Sequence, residues 1–243
     1  MDAARLANEL AFAATRLQIL EAQPPGAYAE IAAAEGDIEE RTWLAFLVAY
    51  LSPLDADDPF AGIEAVRTPW GGSDPELGDD VPLGPRTAHA ADRGTRTIDA
   101  YRAWVARIGS QAAAFTGEEI WTPERRFDRI FERLSLPGMH RDARFDLLTT
   151  LGRLGVYKLR AGALRYGGEN EVTVAAKRAF GIGDVMLLER RTAQFAEAAE
   201  VPLEAFDLGL FNWGRGERSG LGVSPDEPVD ETILEPIRAA LHL

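Results

Sequence analysis

The chain has 243 residues, 46% of them hydrophobic, which is enough for one large domain or for two lobes that share a core. It contains no cysteine and only three scattered histidines, which excludes disulfides, thiolate catalysis and cysteine-ligated zinc and argues against a histidine-based metal site. The formal net charge of -13 argues against diffuse binding to nucleic acid.

The sequence pattern indicates neither a membrane-spanning segment nor a secretory signal. No apolar run approaches the roughly 20 residues that a membrane span needs. The N-terminal MDAARLANEL lacks the basic start and the apolar core of a secretory signal. We therefore expect a cytoplasmic protein that contacts no membrane and uses no metal or other cofactor. The oligomeric state does not follow from the sequence.

The charge is unevenly distributed along the chain. Residues 81–180 hold 17 Lys and Arg against 11 Asp and Glu, whereas the rest of the chain holds 9 against 28. A locally basic face on an acidic protein is compatible with a focused anionic partner. It is equally compatible with salt bridges between two lobes.

The N-terminal part of the sequence predicts two helices and a long connection. Apolar residues recur at helical spacing over 6–20. Asp37, with a glutamate three residues later, is a capping-box-like start for a helix over 38–51, which is apolar on nearly all sides and should be central and buried. Residues 53–96 are rich in proline, glycine and acidic residues and have no usable period, so we expect a surface connection there.

The remainder of the chain predicts a succession of helices separated by glycine and proline. They cover approximately residues 98–115, 122–134, 144–152, 171–180, 184–195, 203–213 and 230–241. Almost no segment alternates with period two, so the predicted fold is all-α. We expect one domain (1–243) with two lobes. The first lobe comprises residues 1–52 plus about 184–243, and the second, over 97–183, follows the connection.

The stretch from Arg144 to Leu164 predicts a helix, a turn and a second helix. The helical spacing of apolar residues stops at Gly152, Leu154-Gly155-Val156 forms a glycine-opened turn, and the spacing resumes at Leu159. Such a turn presents backbone N–H groups outward, and together with the N-terminus of a following helix it can hold a phosphate. An ordinary αα-hairpin is the alternative for these residues alone.

Three residues are candidates for chemistry. Asp207 lies inside the apolar stripe of the helix over 203–213, where an unpaired carboxylate would cost several kcal/mol. We therefore expect this carboxylate either to pair with an arginine or a helix N-terminus, or to act in catalysis. Lys158 and Lys177 stand out because the other 24 basic residues are arginines. A lysine in such a chain supplies a nucleophilic amine or a compact phosphate contact, although chance also explains two lysines.

Basic and aromatic residues near the predicted turn could bind nucleic acid. The arginines that supply most of this basic surface are Arg141, Arg144, Arg153, Arg160, Arg165 and Arg178. The aromatic residues that could stack on a base are Tyr157, Tyr166, Phe211 and Trp213. Core packing is the alternative for these aromatic residues.

The order of these parts resembles the helix-hairpin-helix DNA glycosylase superfamily. RTWLAFLVAYLSP looks like the family's early helix that ends in a serine. Leu154-Gly155-Val156 with Ala161 is similar to the hairpin LPGVGxxxA, one residue shorter and without its proline. FDLGLFNWGRG looks like the late helix that closes the first lobe. Among relatives, the branch of glutamyl/putrescinyl-thymine pyrophosphorylase-like proteins, which is proposed to act on hypermodified thymines, is the nearest.

The resemblance implies a two-lobed helical fold with a base-sized pocket between the lobes. It also implies a hydrolase that flips a modified or damaged base out of DNA and cleaves its N-glycosidic bond, in base excision repair or in antiviral defence against modified phage DNA. Asp207 would be the carboxylate, with Asp184 and Glu189 as alternatives because the family's position, near 173–177, holds no acid here. Lys158 and Lys177 would be the amine or the phosphate contacts.

The remaining site residues follow from the same comparison. We expect Gly155 and Tyr157, together with Arg144, Arg153, Arg160 and Arg178, to bind DNA, and Phe211 and Trp213 to stack on the base. The main alternative is a catalytically inactive nucleic-acid-binding module of the same fold. A purely structural helical protein whose acidic ends contact a basic partner is the third possibility.

Overall fold

The structure, a computed structural model, describes residues 2–78, 80–223 and 230–242. Over these residues the regular structure is helical and no strand is present, so the predicted all-α fold is confirmed. The helices are α1 (Ala3–Ala22), α2 (Ala27–Ala32), α3 (Ile38–Leu51), α4 (Ala61–Val66), a 3-10 helix (Ala91–Arg93), α5 (Arg96–Ile108), α6 (Gln111–Thr116), α7 (Pro123–Arg133), α8 (Arg141–Arg153), α9 (Glu171–Phe180), α10 (Val185–Ala198), α11 (Leu203–Arg215) and α12 (Glu231–Leu241).

The chain divides into two compact units. The first unit combines the N-terminal residues up to Ala22 with the residues from Ala161 onward, and the second unit is Gln23–Arg160. The first unit therefore contains α1 and α9 to α12, and the second contains α2 to α8. These limits differ from those of the predicted lobes, because α3 belongs to the second unit and the return to the first begins at Ala161 rather than near 184.

Helix α3 is the centre of the second unit, where it packs against α2, α4, α6 and α8. Asp37 caps its N-terminus by accepting a hydrogen bond from the Glu39 amide at 2.9 Å. Every residue over 42–51 is buried. The ring of Phe46 stacks on Tyr101 of α5 with centroids 3.9 Å apart. The predicted central buried helix is confirmed.

Residues 53–96, expected to be a surface connection, contain α4 and the 3-10 helix and lie wholly within the second unit. Arg86 is buried and donates two hydrogen bonds to Asp146 of α8, at 2.8 and 3.0 Å. The Ala88 amide donates to the Tyr50 carbonyl at 2.8 Å. Composition alone did not show these contacts, because each joins the segment to residues far away in the sequence.

In the first unit, α1 packs against α11 and α12, and α9 and α10 pack against α11. Gly209 allows α1 and α11 to approach closely, since a Cβ at this position would lie 2.8 Å from the Leu10 side chain. The predicted helix limits at Gly181, which ends α9 with φ 66°, and at Asp184 and Asp230, which cap α10 and α12, are confirmed.

Candidate functional site

The turn after α8 is a closed helix cap. Gly155 has φ 69°, a conformation that glycine adopts without strain. Its amide donates to the Gly152 carbonyl at 3.1 Å, and the Val156 and Tyr157 amides donate to the Leu151 carbonyl at 3.0 and 3.3 Å. This pattern is a Schellman motif with Gly155 at the left-handed position. The expected outward-facing clamp of amides is therefore wrong, because these three N–H groups are used to end α8.

The predicted second helix of the hairpin is also wrong. No helix begins after α8 until α9, and residues 157–161 are irregular. The chain instead crosses closely over Gly152, where a Cβ would lie 2.3 Å from the Leu159 carbonyl oxygen. Leu159 is buried, so its apolar character reflects packing in this irregular segment and not the face of a helix.

Glutamate side chains bind amides of the segment that follows, within the first unit. Glu204 of α11 accepts from the Ala161 amide at 3.1 Å. Glu189 of α10 accepts from the Leu164 and Tyr166 amides at 2.8 and 2.7 Å. These bonds satisfy amides that a helix would have paired with its own carbonyl groups, which explains how the segment remains non-helical.

Two adjoining cavities lie beside the turn, in the second unit. One has a volume of about 620 Å³ and the other of about 530 Å³. They share Pro123, Val156, Tyr157 and Lys158 in their walls. The larger is also lined by Glu119, Trp121 and Arg126 from the loop before α7 and from α7 itself, and the smaller by Gly152, Gly155 and Arg160. Both volumes fall within the range of small-molecule sites.

Arg126 ties together two walls of the larger cavity. It is 6% exposed, and its Nη1 donates to the Lys158 carbonyl at 2.9 Å. Its Nη2 donates to the carbonyl groups of Glu118 and Trp121, at 3.2 and 3.3 Å. One buried guanidinium therefore fixes the loop before α7 against the chain at Lys158. The carbonyl groups it binds compensate part of the cost of burying its charge.

Tyr157 forms a buried wall of both cavities. Its hydroxyl hydrogen-bonds to the Thr42 hydroxyl at 2.7 Å, and its ring stacks on Phe115 with centroids 5.5 Å apart. Burial raises the pKa of Tyr157 to about 12. The side chain is therefore neutral at physiological pH and is positioned by contacts inside the second unit.

The other residues predicted to bind nucleic acid in this unit have different surroundings. Lys158 is exposed and lines both cavities. Arg160 is exposed and forms an ion pair with Glu124 of α7. Arg144 lies over the ring of Phe131 at 4.3 Å, and burial lowers its pKa. Arg153 is half-buried and is engaged in an interaction within the protein.

Several predicted site residues lie in the first unit. Lys177 is half-buried and Arg178 exposed, both on α9, and the guanidinium of Arg178 lies over the ring of Trp213 at 5.4 Å. Trp213 and Phe211 are 7% and 2% exposed, so these rings, predicted to stack on a base, are packed in the core. The Trp213 indole N–H also donates to the Asp2 carbonyl at 3.2 Å.

The three predicted carboxylates also lie in the first unit. Asp184 caps α10 by accepting from the Leu187 amide at 2.9 Å. Glu189 holds the two amides described above. Asp207 is 2% exposed on α11 and is engaged in an interaction within the protein. Neither cavity beside the turn is lined by any of the three. Their catalytic role stays a prediction.

Within residues 2–78, 80–223 and 230–242, no group of three or more His, Cys, Asp or Glu side chains could hold a metal ion. None of the helices in these same ranges has the length and apolar character needed to span a membrane.

Comparison with known protein families gives a match to part of the chain. Residues 83–201 match the family alpha-glutamyl/putrescinyl thymine pyrophosphorylase clade 3. No curated protein and no solved structure matched the chain significantly. The match supports the predicted resemblance to this branch over the matched range. The wider resemblance to helix-hairpin-helix DNA glycosylases stays a prediction, and the hairpin on which it partly depended is not formed.

The matched range contains all the residues that line the two cavities, which lie over 116–123, 126 and 152–160. It also contains Lys177, but Asp207 and the two buried rings of α11 lie outside it. The turn beside the cavities was identified from the sequence, whereas Glu119, Trp121 and Arg126 were not. The helix start at Thr122-Pro123 was their only signal, since it places a loop directly before α7.

Proposed function

We propose that the two cavities receive a modified thymine base of DNA and that the protein cleaves the N-glycosidic bond of that nucleotide. One observation carries this proposal: the range that matches the family contains every residue that lines the two cavities. The name of that family refers to glutamyl and putrescinyl thymine. A base inside a duplex cannot reach such a cavity, so it must be flipped out of the stack.

Polar groups at the cavities suit this chemistry. Lys158 supplies an amine and Glu119 a carboxylate, and Trp121 and Tyr157 supply apolar walls against which a base can pack. In the proposed step the Lys158 side chain gives up a proton to solvent, and its amine attacks C1′ of the sugar as the C1′–N bond breaks. The electron pair of that bond leaves with the base, which takes a proton from solvent. The adduct nitrogen then loses a proton to solvent and its lone pair opens the sugar ring, so that the C1′–O4′ bond breaks and O4′ takes a proton. Water hydrolyses the protonated imine that remains, which frees Lys158 and leaves the sugar as an aldehyde.

Base release tests the proposal. Duplexes carrying one thymine, one glutamyl-modified thymine or one putrescinyl-modified thymine are incubated with the protein, and free base is measured by chromatography. We expect release of a modified base and none from the thymine duplex. Lys158→Gln should abolish release, and Lys177→Gln, the matched change at the other lysine, should leave it intact. Borohydride should trap a covalent adduct with DNA only when Lys158 is present.

A binding module without chemistry is the second candidate. It is favoured by the carboxylates of Asp184 and Glu189, which accept backbone hydrogen bonds in the fold, and by the burial of Asp207. Selective binding of the modified duplex without release of base would support this candidate.

Repair and defence against modified phage DNA both begin with recognition of the base. Plating phage with modified thymines on cells that carry the protein separates these two roles.

A further inference from the structure

Ile120 is a large apolar side chain left in water beside the larger cavity. It is 84% exposed, and no other large hydrophobic residue described in the structure is more exposed. It lies in the loop between α6 and α7, between the cavity-lining residues Glu119 and Trp121. Most large apolar residues of the second unit are buried, so Ile120 is not part of the core of that unit.

The loop that presents Ile120 is held on both sides. Gly117 has φ 63° and packs so closely against the Trp121 ring that a Cβ would lie 2.8 Å from it. The Trp121 amide donates to the Glu118 carbonyl at 3.1 Å, and Arg126 binds the carbonyl groups of both residues. Ile120 is therefore exposed on a fixed turn, so little conformational entropy is lost if it inserts into a partner.

Helix α7, which follows the loop, carries a row of arginines. Arg125, Arg129 and Arg133 are exposed and lie four residues apart, which places them on one face at intervals of about 6 Å along the helix axis. Arg129 pairs with Glu132 at 3.4 Å, an exposed pair that exchanges readily for another anion. Arg133 lies over the Trp121 ring at 5.4 Å.

Acidic residues beside the tip limit the attraction of this surface for phosphates. Glu118 and Glu119 directly precede Ile120, and both are exposed. Attraction to a phosphate backbone therefore falls to the arginine row. The contribution of Ile120 is apolar.

We propose that Ile120 is a wedge that enters the base stack of duplex DNA next to the nucleotide taken into the cavity, while the arginine row binds phosphates. This inference rests on the proposed function, since it describes how the same site engages its duplex. An apolar side chain between two base steps weakens their stacking and favours extrusion of a neighbouring base. The arginine row supplies salt-dependent binding that does not depend on sequence.

The test measures unstacking independently of base release. A duplex carries 2-aminopurine next to the modified thymine, and its fluorescence rises when stacking is lost. We expect a rise with the wild-type protein and with Met186→Ala, a matched control because Met186 is 82% exposed in the first unit. Ile120→Ala should lose the rise and should release base from a single strand but not from the duplex.

The arginine row is tested by the salt dependence of DNA binding, with a matched double change on α10 as the control. The double change Arg125→Gln and Arg129→Gln should lower the slope of log K against log salt by about 2, because each phosphate contact contributes about 1. The same double change at Arg190 and Arg191, which are exposed on α10, should leave the slope unchanged.

The outcomes separate the two proposals. An Ile120→Ala variant that unstacks the duplex as the wild type does overturns the wedge, even if base release stands. A wild-type protein that unstacks the duplex but releases no base supports the wedge and overturns the proposed chemistry. A wild-type protein that binds no duplex at low salt overturns the wedge and points to a protein partner for this surface.

Discussion

Replacing Gly155 by alanine tests whether the turn after α8 is a closed cap. A Cβ at this position would contact nothing within 4 Å, so the substitution adds no clash. The cost comes from the backbone alone, because φ is 69° and an L-residue other than glycine costs about 1–2 kcal/mol in the left-handed region. We therefore expect Gly155→Ala to lower the free energy of unfolding by about 1 kcal/mol or slightly more.

Two further glycines calibrate that value. Gly183 has open space around it and no left-handed φ, so Gly183→Ala should change stability by less than about 0.5 kcal/mol. Gly152 lies under the Leu159 carbonyl, and its Cβ would be 2.3 Å from that oxygen. Gly152→Ala must displace the chain that carries Lys158 and should cost more than Gly155→Ala.

Urea unfolding followed by tryptophan fluorescence measures the order of the three variants. Hydrogen exchange of the peptide over 150–160 reports the cap directly, because the Val156 and Tyr157 amides are bonded to Leu151. Gly155→Ala should speed exchange in this peptide, whereas Gly183→Ala should not. If Gly155→Ala were as stable as the wild type and equally protected, the closed cap would be refuted.

Three further predictions concern single side chains. The pKa of Tyr157 is raised to about 12, so between pH 10 and pH 12 the folded protein keeps a proton that the unfolded chain loses, and the free energy of unfolding should fall by roughly 2–3 kcal/mol over that window. In urea titrations at several pH values, Tyr157→Phe should flatten this loss. At pH 8 the same variant should be less stable than the wild type by about 1 kcal/mol, because it lacks the hydrogen bond to Thr42. Asp184→Ala should cost about 1 kcal/mol of stability by removing the cap of α10, and loss of base release without loss of stability would instead assign it to catalysis. Glu189→Gln should lower the free energy of unfolding by about 1–3 kcal/mol and speed hydrogen exchange of the Leu164 and Tyr166 amides, because a charged acceptor becomes a neutral amide. Unchanged exchange at these two amides would contradict the positioning role of Glu189.

The sequence predicted the elements whose signals are local. Asp37, Asp184 and Asp230 mark helix starts through hydrogen bonds that span two or three residues, and all three caps are present. The buried character of α3 follows from its apolar composition. The turn at Gly155 was located correctly, but the use of its amides was not foreseen, because the pattern does not distinguish a helix cap from a phosphate-binding turn.

The errors came from contacts between distant residues. The segment after Gly155 has apolar residues at helical spacing, yet its amides bind carboxylates that are distant in the sequence. The bond to Glu204 joins residues 43 positions apart, and the two bonds to Glu189 join residues 25 and 23 positions apart. The cavity walls depend on Arg126 reaching the Lys158 carbonyl 32 residues away. No local pattern encodes such a bond, so Arg126 and the loop before α7 could not be recognised as parts of one site.

The central claim is that the cavities beside the turn receive a modified thymine and that Lys158 acts there. Its most direct test is chromatographic measurement of free base from a duplex carrying one glutamyl-modified or putrescinyl-modified thymine, with wild type, Lys158→Gln and Lys177→Gln compared at equal concentration. We predict release by the wild type and by Lys177→Gln and none by Lys158→Gln. Equal release by all three proteins, or release from an unmodified thymine duplex at the same rate, would contradict the claim.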